Sequence, residues 1–200
     1  MKNPFLHRNL ALCAALIFAA PLLLAQTQAH SIVLHFDAAH TQIRWTLSDF
    51  LHTVHGSFQL KGGVVTFNPE TGAAEGELLV DLDSGNSGSA ARDRTMKTKV
   101  LQTQTYPEAI FHPEKVSGTL RPGSTEQVTV DGTFTIHGQD HPMRLVVSPR
   151  MTDAWHVHLT THFVVPYVQW GMRNPSSFVF RVGKQVPVDV TADAAVEGLQ

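Results

Sequence analysis

Cysteine is almost absent from this chain, whose 200 residues include Cys13 and no other cysteine. A small scaffold held together by disulfides is therefore excluded, and the fold must depend on its hydrophobic core. The chain also lacks runs of Lys or Arg, and its formal net charge is −2 with a sequence pI near 6.6. This balance argues against a nucleic-acid partner, which would require a basic surface facing the phosphate backbone.

Motifs of several enzyme classes are missing as well. The sequence has no G-x-S-x-G nucleophile motif, no H-E-x-x-H zinc motif, no glycine-rich phosphate loop and no dinucleotide-binding fingerprint. Hydrolase and nucleotide-dependent activities are therefore not indicated, and we expect neither catalysis nor a cofactor. What the chain does contain is 42% hydrophobic and 16% charged residues, a composition typical of a folded globular domain.

Residues 1–29 have the features of a secretory signal peptide. A short basic head precedes an apolar run over residues 10–24, and Thr27 and Ala29 supply the small side chains of a cleavage site. A transmembrane anchor is the alternative, but an apolar run of about 15 residues is shorter than the roughly 20 that a bilayer requires. We therefore expect cleavage near His30, a periplasmic or secreted protein, no stable membrane insertion, and one folded domain over residues 30–200.

From His30 onward, apolar and polar residues alternate in many short segments. Ile43 and Trp45, for example, alternate with Arg44 and Thr46. A period of two predicts strands with one buried and one hydrated face, which is the pattern of antiparallel sheets. Turn signals rich in Gly, Pro and Asn separate these segments, and together they predict an all-β chain of roughly eight strands.

One segment departs from the strand pattern. Residues 89–104 follow a flexible stretch rich in Gly and Ser, and Ser89 is a residue type that caps helices. Met96 and Val100 would face inward from this helix, which should end before Pro107 because the residue preceding a proline disfavours the helical conformation. One short helix among antiparallel strands predicts that the helix closes one end of a barrel or lies across a sandwich.

The interior of an eight-stranded barrel is either filled by side chains or wide enough to hold one small ligand. Two alternatives therefore stay open at this point, a packed core and a ligand cavity. The residues predicted to line the interior are Trp45, Phe58, Phe67, Leu78, Val80, Phe111, Phe134, Ile136 and Phe163.

Several short motifs follow one another in a fixed order between residues 39 and 145. They are Ala39-His40-Thr41-Gln42-Ile43, Val54-His55-Gly56-Ser57-Phe58, Gly63-Val64-Val65-Thr66-Phe67, Arg92-Asp93, Tyr106-Pro107-Glu108-Ala109-Ile110-Phe111, and Val130-Asp131-Gly132-Thr133-Phe134-Thr135-Ile136-His137-Gly138 with its return His141-Pro142-Met143-Arg144-Leu145. The series resembles the YceI-like family, exported barrels associated with polyisoprenoid binding. The resemblance implies an antiparallel, lipocalin-like β-barrel with one short helix.

The resemblance also implies binding without catalysis. The ligand would be an isoprenoid-type lipid, such as a polyprenol or an isoprenoid quinone, held by a carrier or sequestration protein. Its apolar chain would leave water for the barrel interior, where each buried methylene contributes about 0.8 kcal/mol. Polar groups at the open end would orient the head group, and the predicted mouth residues are Arg92, Asp93, Met96 and Trp170. For Arg92 and Asp93, a solvated helix face is the alternative.

Two segments depart from the family pattern. Residues 96–103 replace the leucine and the pair of aromatic residues that the family usually carries near the end of the helix. The last third is unusually aromatic, with Phe163, Tyr167, Trp170, Phe178 and Phe180. The ligand's identity therefore transfers less directly than the fold. The expected partners are a small apolar ligand and, as an open alternative, a second copy in a homodimer.

Histidine is abundant and supports a rival hypothesis, a metal site with or without catalysis. His156 and His158 would project from the same face of a strand, with His162 further along it, and His52 and His55 form a second loose pair. Two imidazoles on one strand are a sound start for zinc, but catalysis needs a third ligand and an open position. The alternative is a set of solvent-facing rings opposite a dry face of Val157, Leu159 and Phe163.

Overall fold

The structure, a computed structural model, describes residues 31–48, 53–121, 126–176 and 181–199. The predicted signal peptide, residues 1–29, lies outside this range, as do His30, His52, Phe178 and Phe180. The described residues form nine strands and one short helical segment: β1 (Ile32–Phe36), β2 (Gln42–Ser48), β3 (Thr53–Phe67), β4 (Ala74–Asn86), α1 (Ala90–Thr95) with a π-helical turn (Met96–Leu101), β5 (Glu108–Ser117), β6 (Val128–Ile136), β7 (Gln139–Met151), β8 (His156–Val165) and β9 (Val186–Glu197).

Buried and exposed residues alternate along the strands in the way that the sequence predicts. In β2, Ile43 and Trp45 are buried, whereas Gln42 and Arg44, which alternate with them, are exposed. The same pattern runs along β6, where the inward-facing residues include Phe134. Because successive side chains of a strand point to opposite faces, one face of every strand forms the interior and the other faces water.

The strands close into an eight-stranded antiparallel barrel, as the sequence predicts. Each of β2 to β8 pairs with the next strand along the chain, and β9 pairs back to β2, with Val190 opposite Ile43. The connections between β2 and β9 all join neighbouring strands that run in opposite directions. Full closure gives every strand of the ring a partner on both sides, which removes exposed sheet edges.

The ninth strand arises because one barrel strand is interrupted. Both β1 and β2 lie between β3 and β9: Ile32 is opposite Phe67, and further along Trp45 is opposite Gly56. The interruption is a turn built on Asp37, whose carboxylate accepts hydrogen bonds from the backbone N–H groups of Ala39 at 2.8 Å and of His40 at 3.2 Å. Such turns let an Asp side chain replace a backbone partner.

Buried residues form two clusters at different heights in the barrel. The smaller one, here called the floor cluster, closes the end of the barrel where β1 begins, and consists of Ile32, Leu34, Val65, Phe67, Val157, Ala194 and Val196. The larger one surrounds the middle of the barrel and the end covered by the helical segment. The barrel is therefore solid at one end, whereas a separate set of apolar side chains lines the rest of its interior.

The helical segment is shorter than predicted and partly of another type. Ser89 precedes α1 with an extended backbone, but its side chain makes no capping hydrogen bond. The segment ends at Leu101 instead of residue 104, because Gln102 adopts a left-handed conformation with φ 51° and Thr103 N–H bonds back to the Lys97 carbonyl at 3.0 Å. Val100 is buried, as predicted. No helix within the described ranges is long and apolar enough to cross a membrane.

Candidate functional site

The barrel encloses a cavity of about 1000 Å³ between the floor cluster and the helical segment. Phe36 and Leu78 line this cavity and also pack against the floor cluster, which therefore forms its lower boundary. At the other end the lining includes Arg92, which is exposed to solvent, so the cavity reaches the surface beside α1. The lining is made mainly of aliphatic and aromatic side chains, as is typical of small-molecule sites.

Eight of the nine interior residues predicted from the sequence line this cavity: Trp45, Phe58, Leu78, Val80, Phe111, Phe134, Ile136 and Phe163. The ninth, Phe67, faces inward too, but it lies in the floor cluster, opposite Ile32. The structure therefore brings the predicted side chains together around one space rather than into one packed core. Their contact with a ligand stays a prediction.

Other parts of the lining were missed by sequence reasoning. The strand residues among them, such as Leu60, Leu82 and Leu145, follow the same period of two as those that were predicted. Tyr167 and Met172 come instead from the connection between β8 and β9, where no period exists to signal them. Tyr167 is fixed by a hydrogen bond from its hydroxyl to the Gly183 carbonyl at 2.7 Å, and burial raises the pKa of its phenol.

A glycine opposite Trp45 shapes one wall of the cavity. Gly56 faces the indole directly: a Cβ atom there would overlap the Trp45 ring and lie 2.6 Å from the Asn86 carbonyl oxygen. The missing side chain leaves room for the indole against β3, and the Trp45 ring centroid lies 6.4 Å from that of Phe58. The family-like motif around Gly56 thus has a packing function, because any larger residue would push Trp45 into the cavity.

A second aromatic group supports the wall formed by β6 and β7. Phe134 lies opposite His141, and Trp170 covers both, with its ring stacked on His141 at 4.0 Å and 7° and its centroid 6.0 Å from Phe134. Burial lowers the pKa of His141, which favours the neutral ring. Trp170, predicted at the mouth, lies in the connection between β8 and β9, is half-buried against these rings, and is not part of the cavity lining.

The other predicted mouth residues divide between two positions. Arg92 and Met96 line the cavity, together with Ser89 and Thr95 of the same segment, and Arg92 is the charged member of the lining among the residues described. Asp93 lies outside the lining, because its carboxylate accepts hydrogen bonds from the Ser87 backbone N–H at 2.8 Å and hydroxyl at 2.5 Å. Asp93 thus holds the loop before α1, whereas Arg92 can face a ligand head group.

The histidines of β8 project from the outer face of the barrel and bind carboxylates. His158 pairs with Asp193 at 2.6 Å, and His162 with Asp189 at 2.7 Å. His156 pairs with Asp153 at 2.9 Å. Each ring is therefore engaged by a different carboxylate, on the face opposite Val157, Leu159 and Phe163. In the part of the chain that the structure describes, no three metal-ligating side chains converge on one point. His55 contacts the Thr46 hydroxyl at 3.1 Å.

Solved structures with this fold share little sequence with the chain. BcnA of Burkholderia cenocepacia is 15% identical with a TM-score of 0.67, and the match covers 79% of this chain and 98% of that protein. A polyisoprenoid-binding domain from Saccharophagus degradans, described as implicated in plant cell wall breakdown, is 17% identical with a TM-score of 0.62, covering 82% and 98%. The YCEI protein of Campylobacter jejuni is 14% identical with a TM-score of 0.52, covering 70% and 80%.

Sequence comparison extends this likeness to the family level. No curated protein matches the chain, but the family model of the YceI-like domain matches residues 34–194. This range runs from the middle of β1 to three residues before the end of β9, and so includes most of the barrel and the whole helical segment. The chain belongs to the YceI-like domain family.

Proposed function

We propose that this protein binds an apolar lipid of the isoprenoid type inside its barrel and carries or sequesters it without catalysis. The observation that carries the proposal is the apolar cavity of about 1000 Å³, which is closed at the floor cluster and reaches solvent beside Arg92. The description of the Saccharophagus degradans neighbour as a polyisoprenoid-binding domain supports the choice of ligand class.

The size of the cavity limits the ligand. If each carbon occupies about the 30 Å³ that one water molecule fills in the liquid, the cavity holds roughly 30 carbon atoms, or about six isoprene units. Each methylene that moves from water into the lining contributes about 0.8 kcal/mol, less the cost of immobilising a flexible chain. A longer chain would extend past Arg92 into solvent. Affinity should therefore increase with chain length only up to this limit.

The polar groups of the cavity orient the ligand. Arg92 lies at the open end, and the wall toward the floor is formed by apolar side chains such as Leu78 and Phe111. A ligand would therefore enter with its hydrocarbon end first and keep its head group near Arg92. We also propose that the protein acts outside the cytoplasm, which the signal-peptide features of residues 1–29 support.

Mass spectrometry of organic extracts tests the proposal. The protein is isolated without detergent from the cells that make it, and its extract is compared with an equal amount of denatured and washed protein. We expect about one isoprenoid-type lipid per protein molecule in the native sample, within the size limit of the cavity. A native sample that carries no lipid, and takes none up from added polyprenols, would refute the proposed function.

A further inference from the structure

Positive charge is concentrated at the end of the barrel where the cavity opens. The connections at this end include residues 87–107, which carry the helical segment, and residues 166–185, which join β8 to β9. Together they hold seven of the 15 Lys and Arg residues of the chain and one acidic residue, Asp93. We call this set the basic rim: Arg92, Arg94, Lys97, Lys99, Arg173, Arg181 and Lys184.

The remainder of the folded chain has the opposite charge. Outside these two connections, residues 30–200 contain six Lys or Arg and 16 Asp or Glu. At the floor end, the turn between β3 and β4 contributes Glu70 and the turn between β7 and β8 contributes Asp153. The two connections at the mouth are therefore positive and the rest of the folded chain, taken together, is negative, so that residues 30–200 have a formal net charge of −4.

The rim cations are not neutralised within the part of the chain that the structure describes. Six of the seven are exposed, Lys97 is half-buried, and none makes an ion pair or side-chain hydrogen bond with a described residue. Two of the six other cations of the folded chain do form ion pairs, Lys61 with Glu108 at 2.6 Å and Arg144 with Asp131 at 2.6 Å. Asp93 faces Ser87 instead. Like charges left together at one end repel one another, and an anionic surface would relieve this repulsion.

We propose that the basic rim docks the mouth of the barrel onto the surface of an anionic phospholipid bilayer. The proposal rests on the proposed function, because a lipid ligand must leave one bilayer and enter the cavity with little exposure to water. A protein or nucleic-acid partner would be attracted by the same charge. The basic rim surrounds an apolar opening, and this arrangement favours the bilayer over the other two partners. In a bilayer, a layer of anionic head groups lies directly next to an apolar layer.

The charge distribution also orients the molecule. An anionic surface attracts the rim and repels the acidic remainder, so the barrel should approach with its mouth toward the lipid. Each Lys or Arg close to an anionic membrane raises the affinity by about fivefold, and this attraction falls off within a Debye length of about 8 Å at physiological salt. Docking should therefore be reversible and sensitive to salt.

Co-sedimentation with vesicles tests the docking. The protein as the cell produces it is mixed with vesicles of phosphatidylcholine alone or with about 30% phosphatidylglycerol, over a range of NaCl concentrations. The rim variant carries Arg94→Gln, Lys99→Gln, Arg173→Gln and Lys184→Gln, which leaves Arg92 in the cavity lining unchanged. The matched control carries four exposed substitutions away from the mouth, Arg44→Gln, Lys115→Gln, Arg121→Gln and Arg150→Gln, and therefore has the same net charge.

We expect wild-type protein to bind the anionic vesicles and not the neutral ones, and to dissociate as salt is added. The rim variant should bind at least about a hundredfold more weakly, and the control variant within about fivefold of wild type. Equal binding to both kinds of vesicle, no binding to either, or equal losses in the two variants would overturn the docking proposal. Lipid extraction from the same samples separates the two proposals. Docking by protein that holds no lipid and takes none up from added polyprenols refutes the proposed function alone. Lipid-loaded protein that fails to dock refutes docking alone.

Discussion

A tryptophan in place of Val190 should shorten the ligand that the cavity accepts. Val190 is half-buried on β9, faces inward between Ile43 and Thr161, and lines the cavity. Tryptophan has about seven more side-chain heavy atoms than valine, and each would displace about one ligand methylene worth about 0.8 kcal/mol. The largest ligand that fits should therefore lose about 5 kcal/mol, or between three and four orders of magnitude in affinity. A ligand with about seven fewer carbons should bind the variant and wild type alike.

Competition by isoprenoid alcohols of increasing chain length against a fluorescent apolar probe measures this change. Thr191→Trp is the matched control, because Thr191 is the next residue of the same strand and its side chain faces the other side of the sheet. Denaturant unfolding adds a second readout: an interior that is already packed would be destabilised by about 1 to 3 kcal/mol in the Val190→Trp variant, whereas a cavity accepts the ring at little cost. An unchanged chain-length profile in a stable variant, or the same change in the control, would refute the reasoning.

Three further predictions concern other parts of the chain. Amino-terminal sequencing of exported protein should begin near His30, and an intact residue 1 in the membrane fraction would contradict the signal peptide. The double substitution His156→Ala and His158→Ala should leave lipid retention unchanged and alter stability little; tight one-to-one zinc binding that is lost in this variant would revive the metal hypothesis. Because burial lowers the pKa of His141 below its ordinary 6.5, the unfolded chain binds more protons there, so stability should fall as pH decreases through 6.5. His141→Phe should remove that component of the pH dependence in thermal unfolding, and an identical dependence in both proteins would contradict it.

The strands and their inward faces could be predicted from the sequence because the alternation within each strand indicates which side chains are buried, whereas closure into a barrel was implied by the resemblance to the YceI-like family. Trp45 and Phe134, for example, are separated along the chain, yet the local alternation around each one places its ring in the interior. The alternation does not indicate how far along the barrel axis an inward-facing residue lies. Phe58 and Phe67 both face inward from β3, although an odd number of positions separates them, because a register shift between Leu60 and Gly62 moves the alternation by one residue. They lie about 30 Å apart along the strand. Phe58 therefore lines the cavity, and Phe67 lies in the floor cluster.

The irregular segments were predicted less well, for a different physical reason. Trp170 and Met172 lie in a connection without a repeating pattern, so tertiary contacts decide their positions: Trp170 stacks on His141, and Met172 lines the cavity. In the helical segment, the sequence indicated which side chains turn inward. The left-handed Gln102 and the π-helical turn before it depend on hydrogen bonds that no local propensity signals.

The cavity inside the barrel follows from how the sheet is closed. A packed core normally collapses around a void, because lining atoms without neighbours lose dispersion energy. Here the inward-facing side chains belong to strands that are hydrogen-bonded to both neighbours around the ring, and strand number and tilt fix the barrel's diameter. The walls cannot approach one another without breaking those ladders. The floor cluster fills one end, so the lost contacts are confined to the part of the interior that opens beside α1. An apolar molecule that enters there restores contacts the sheet itself cannot make, so that occupancy stabilises the fold by mass action.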